Sequence, residues 1–125
     1  MPARPLHFVR SVPASGSTNV SRAIKTITLF FDKNVVNDAV WANNRTKIRM
    51  FRGTTRVAIR VTRIRDTVDF SQRRKIFVHP VSRLRANTRY TIVISPNLKS
   101  KAGDTLGKTV RIHFTTGSNG IIPTE

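Results

Sequence analysis

The chain has 125 residues, no cysteine, and 23 Lys or Arg against 6 Asp or Glu, for a formal net charge of +17. That length fits one domain with a single core, and the lack of cysteine excludes disulfides, thiolate catalysis and Cys-based metal sites. No apolar run approaches the roughly 18 residues of a transmembrane helix, so no membrane insertion is expected.

Residues 1–7 hold no apolar segment of the signal-peptide kind. With no signal peptide in this chain, it reads as a cytoplasmic protein or as a module of a longer exported one. Residues 7–12 read as a first short strand, ended by Pro13, and 14–19 as a loop of turn formers. Residues 24–31 form a strand rich in β-branched and aromatic residues, with Ile27, Leu29 and Phe31 toward the core. A connection through Trp41 follows, with a short helical turn near 37–41. Residues 47–52 are a strand with Ile48 and Met50 inward, and Gly53 marks a hairpin-like break. Residues 56–64 alternate, with Val57, Ile59 and Val61 inward, until Ile64 falls out of parity and signals a strand end near Thr62–Arg63. Residues 74–79 point Ile76 and Val78 inward, and 88–95 set Tyr90, Ile92 and Ile94 on one face. A loop anchored by Leu98 and Leu106 precedes 108–116, where Val110, Ile112 and Phe114 point inward. About seven or eight short strands at roughly ten-residue spacing, with turns between them, predict an all-β antiparallel sandwich. Residues 1–7 are then an N-terminal extension, 8–117 the domain, and 118–125 a C-terminal tail or linker.

The positive charge is uneven. Residues 45–89 carry twelve Arg and two Lys against Asp66 and Asp69, a net +12 of the total +17. Arg offers a planar fork that fits phosphate and carboxylate, so an Arg-dominated excess points to an anionic partner. The plainer reading is a solvated face. Parity turns Lys47, Arg49 and Phe51 outward on one strand, Arg56 and Arg60 on the next, and Lys75, Phe77 and His79 on a third. Loops add Arg45, Arg63, Arg65, Arg73, Arg74, Arg83 and Arg85. The candidate anion-binding face is therefore Arg49, Arg56, Arg60, Arg63, Arg65, Arg73, Arg74, Lys75 and Phe77, since cations with interleaved rings suit a polyanion.

No catalytic, cofactor or metal site emerges. His7, His79 and His113 lie far apart in sequence, and Asp66 and Asp69 stand beside Arg63, Arg65 and Arg73, with which they are expected to pair. Ser, His and Asp are present without a nucleophile elbow, and the six glycines are single turn residues that build no phosphate loop. Trp41, the one tryptophan, is expected to plug an end of the core, with sugar stacking as the competing role.

Several stretches form a recognisable series. Val12-Pro-Ala-Ser-Gly-Ser-Thr-Asn-Val20 is followed by Ile27-Thr-Leu-Phe-Phe31 and Asp32-Lys-Asn-Val35. Phe77-Val-His-Pro80 precedes Leu84-Arg-Ala-Asn-Thr-Arg-Tyr-Thr-Ile92, and Ala102-Gly-Asp with Leu106 precedes Phe114-Thr-Thr-Gly117. Each is modest alone, but together and in this order they resemble the bacterial Ig-like domains of the S-layer protein type (the SbsA-like Ig family), over residues 8–117. The resemblance implies an Ig-like β-sandwich that serves as a spacer, adhesion or interaction module in bacterial surface or exported proteins, without catalysis. Its place would be extracellular or at the cell surface. Its partners would be neighbouring domains of a longer chain or an anionic cell-surface polymer, with nucleic acid as the alternative. Tyr90 would be a tyrosine corner, its hydroxyl bonding backbone near Leu84. Two features depart from the family: its loop acid is Lys101 here, which weakens any case for calcium, and the chain is more basic than its kind.

Overall fold

The computed structural model describes residues 5–118. The first four residues of the expected extension, and the expected tail beyond Ser118 with Glu125, lie outside the described residues.

Among the described residues nine strands form two packed sheets. They are β1 Phe8–Val12, β2 Ser17–Val20, β3 Ile27–Phe31, β4 Ile48–Arg52, β5 Thr55–Val57, β6 Ile59–Thr62, β7 Lys75–Pro80, β8 Arg89–Ile94 and β9 Val110–Thr116. One sheet has the order β1-β3-β7-β6, and the other β2-β9-β8-β4-β5. The inward parity expected from the sequence is realised: Ile27, Leu29, Ile76 and Val78 of the first sheet, and Met50, Ile92, Ile94 and Ile112 of the second, are fully buried. Leu6 is buried as well, and its N–H donates to the Thr105 carbonyl at 3.3 Å. The packed body thus reaches into residues expected to be an extension.

Two departures from the expected strands have physical causes. The stretch 14–19, expected as a loop, contains most of β2, which pairs parallel to β9. Gly16 and Asn19 take φ of 90° and 55°, a left-handed backbone open to Gly and Asn. Turn-forming residues therefore still build an edge strand, and the described part of the sandwich has nine strands and one parallel pair. The stretch 56–64, expected as one strand, divides at Ala58. β5 pairs with β4 in one sheet, whereas β6 pairs with β7 in the other. Sandwich corners arise where a strand changes sheets, and here the Ala58 carbonyl accepts from Val81 N–H at 3.1 Å.

The expected turn near Trp41 is a helix, α1, over Asp38–Asn44. Asn37 caps it by accepting from Ala39 N–H at 3.0 Å. The helix buries Val40 and Asn44. Asn44 joins this end of the sandwich: its amide donates to Val35 O at 2.8 Å and Lys99 O at 2.7 Å, and its side-chain oxygen accepts from Lys99 N–H at 2.9 Å.

Candidate anion-binding face

The expected basic face is distributed over five places. Arg49 on β4 and Arg56 on β5 stand on the outer side of the five-stranded sheet. Arg60 stands on β6, at the edge of the other sheet. The change of sheet at Ala58 brings these three together with Arg45 around a groove of about 570 Å³, floored by Ile48, Ile59 and Val61. No acidic side chain among the described residues lines this groove.

Lys75 and Phe77 lie on the outer side of the four-stranded sheet. There Lys75 stands opposite Phe30 of β3, and Phe77 sits between Thr28 and Thr62. Phe30 is held between cations, with the Arg10 guanidinium 3.8 Å and the Lys75 ammonium 5.4 Å from its ring centre. Its outward place follows from the parity that buries Leu29 and Phe31, a signal the sequence reading left unused.

Arg63 and Arg65 converge on the Asp38 carboxylate at 2.7 and 2.6 Å. The hydrogen bond from Arg65, then that from Arg63, holds the Asp38 carboxyl below its ordinary range. Arg63 also donates to Val36 O at 2.5 Å and lies 5.2 Å from the Trp41 ring centre. Trp41 is half-buried against the core, and this guanidinium covers a face of its ring. Arg73 stacks 4.1 Å from the exposed Phe70 ring centre and donates to Phe70 O at 3.1 Å. Arg74 faces a cleft shared with Asp32, Lys33, Lys101 and Asp104.

The expected pairing of Asp66 and Asp69 with neighbouring arginines is replaced by amides and a hydroxyl. Asp66 accepts from Asn34 at 3.0 Å and Asn37 at 2.9 Å, and Asp69 accepts from the Ser71 hydroxyl at 2.6 Å and its N–H at 3.0 Å. Those bonds lower both carboxyls. Lys33 meets Asp104 at 2.6 Å and lowers it. Burial alone would raise Asp32, but the backbone N–H and ring of His7, both at 2.8 Å, outweigh it.

All five described aspartates thus sit at one pole, where the ends of β3 and β6 meet α1 and the loops at 63–74 and 100–104. None of the nine described strands contains an Asp or Glu. Among the described residues no group of three or more His, Asp or Glu is placed to hold a metal ion. No helix among them is long and apolar enough to cross a membrane.

Tyr90 is buried on β8 and stacks on Phe114, with ring centres 5.7 Å apart. Its hydroxyl accepts from the Arg85 N–H at 2.8 Å, tying β8 to the connection that precedes it.

Two sheets, a cross-connecting edge and this tyrosine contact define an Ig-like β-sandwich. The sequence profile described as "bacterial Ig-like domain" matches residues 2–116. The chain belongs to that family. Among solved structures, the N-terminal part of the bacterial S-layer protein SbsC superposes with a TM-score of 0.61 at 16% identity, covering 91% of this chain and 24% of that one. SbsC domains 1–6 superpose with a TM-score of 0.61 at 16% identity, covering 92% of this chain and 14% of that one. CopC from Methylosinus trichosporium OB3b gives a TM-score of 0.61 at 12% identity and covers 94% of this chain and 99% of that one. The chain thus spans a quarter or less of the S-layer structures, and at these identities the likeness is one of fold. No curated protein matches the sequence.

Proposed function

We propose that this domain is a non-enzymatic structural and interaction module of a bacterial surface or exported protein, which meets an anionic partner through the groove between β4, β5 and β6. The module body is residues 8–117, with Leu6 packed against it. The observation that carries the reading is the convergence of Arg45, Arg49, Arg56 and Arg60 on one groove that no carboxylate among the described residues lines. Arg63 and Arg65 are engaged with Asp38 and serve the fold. Lys75 and Phe77 belong to a separate face, with Phe30 and Arg10. The family and the S-layer fold likeness support a surface or exported setting, in which the partner is an anionic polymer or an acidic neighbouring domain.

The test is binding to heparin and to duplex DNA across a salt series, for the full chain and for Arg49→Ala/Arg56→Ala/Arg60→Ala. The wild type is expected to bind with a steep salt dependence. On duplex DNA the variant's log–log slope is expected to be shallower by about two units, one for each of Arg49 and Arg56, which share the outer face of one sheet. Binding that the variant leaves unchanged, or no binding at low salt, overturns the assignment of the groove.

A further inference from the structure

A second hollow, of about 300 Å³, adjoins the groove and shares Thr46 and Arg49 with it. Lys47, Arg49 and Arg111 surround it, with Val93 at its floor. The register explains the grouping: Arg111 on β9, Val93 on β8 and Arg49 on β4 are successive cross-strand partners, so they form one row at right angles to the strands. With neighbouring strands about 4.8 Å apart, Arg111 and Arg49 stand roughly 10 Å apart at the backbone. The two hollows therefore form one cationic track, which runs from Arg111 across the sheet to Arg56 and turns over the edge to Arg60.

We propose that the ligand of this track is a single flexible chain of acidic polysaccharide, laid across the strands of the five-stranded sheet and bent around its edge. This rests on the reading of the groove as an anion site and names the class of polymer that fits it. The shape carries the first half of the argument. Arg60 belongs to the other sheet, and packed sheets lie about 10 Å apart, so an occupant of the whole track must turn within that distance. Duplex DNA, with a persistence length near 50 nm, bridges the face or the edge but does not follow both. A single polymer chain follows both.

The lining carries the second half. Between the cations stand the hydroxyls of Thr46, Ser95 and Thr109, with that of Thr62 already bonded to the His79 ring at 2.7 Å, and no aromatic ring among the described residues lines either hollow. The Thr46 hydroxyl donates to Asn43 O at 2.7 Å and keeps its lone pairs for a sugar hydroxyl. The Ser95 hydroxyl accepts from Asn97 N–H at 3.2 Å and keeps its proton. Single-stranded nucleic acid gains its sequence-tolerant affinity from successive rings on which bases stack. Rings stand beside the track and not in it: Phe51 opposite Arg56, His113 in the same row on β9, and Phe77 and His79 opposite Thr62 and Arg60 on β7. None of them lines a hollow on which successive bases could stack. Cations alternating with hydroxyls suit a chain that alternates sulfate or carboxylate groups with sugar hydroxyls.

The experiment measures the affinity of the full chain for heparin oligosaccharides of increasing length, with duplex and single-stranded DNA of matched charge as competitors. The variants are Arg111→Ala and Arg60→Ala, at the two ends of the track. Affinity is expected to rise with length until the oligosaccharide spans the track, roughly 25 Å by the strand and sheet spacings, and then to level off. Each end variant is expected to cost the long oligosaccharide roughly tenfold and to shift the plateau to shorter chains. Affinity that is flat with length, or end variants that match the wild type, overturns the path while leaving the groove as an anion site. Single-stranded or duplex DNA that competes as well as the long oligosaccharide overturns the polysaccharide. Failure of every polyanion to bind removes both the path and the groove's proposed role.

Discussion

At the scale of single residues, Asn44 and Tyr90 hold backbone groups that would otherwise be unpaired, and they differ in how many. Asn44 is fully buried and satisfies three backbone groups from two distant connections, at Val35 and Lys99. Truncation leaves those groups without partners in a site too enclosed for easy hydration. Asn44→Ala is therefore expected to cost on the order of 3 kcal/mol or more. Tyr90→Phe removes one hydrogen bond and keeps the ring packing, so about 1 kcal/mol is expected. Urea denaturation of the two variants gives the comparison, and equal costs would mean that water replaces the Asn44 contacts. The sequence carried Tyr90 through a motif. Asn44 stayed hidden because its partners lie 9 and 55 residues away and Asn43-Asn44 looks like any polar helix end.

Among the elements, α1 is fixed to the sandwich by the segment that leaves β6. Arg63 and Arg65 reach the same carboxylate from unlike settings: the Arg63 side chain is 16% exposed and that of Arg65 54%. Arg63 also satisfies a carbonyl and covers Trp41, whereas the exposed Arg65 pair is screened by solvent. Calorimetry is expected to show Arg63→Ala lowering Tm by roughly 5 °C, with Arg65→Ala close to the wild type. Equal shifts would assign the anchoring to charge alone. Much of the strand framework was legible at this scale, because inward parity on β3, β4, β7, β8 and β9 is clean. The split at Ala58 was not. Val57, Ile59 and Val61 keep one alternation straight through it, so one strand and two strands on opposite sheets write the same pattern. That hidden crossing is what assembles the groove.

Over the whole molecule, charge is segregated in space in a way that segment counts along the chain obscure. Arg63 and Arg65 belong to the most basic stretch, yet the fold assigns them to the acidic pole. Arg111, far from that stretch, stands on the cationic track. The five described aspartates all titrate below their ordinary range, each held there by the partners described above. A carboxyl that ionises more readily folded than unfolded lends stability that is complete above the ordinary carboxylate pKa, about 3.9, and is lost as pH falls through the folded value. Protonation at this pole also removes five of the six negative charges that offset 23 Lys and Arg, which raises the net charge above +17, so self-repulsion adds to the loss. Thermal melts are therefore expected to be flat from about pH 8 to 5 with respect to these groups and to fall steeply below about pH 4. Added salt should recover part of the loss, because screening acts on the repulsion between exposed cations and not on the missing hydrogen bonds. Asp38→Asn should melt lower than the wild type at neutral pH and converge with it in acid, since the variant has already lost the charge that acid removes. Stability that rises toward pH 3, or an Asp38→Asn deficit that persists undiminished there, would show that the pole does not stabilise the fold through its carboxylates.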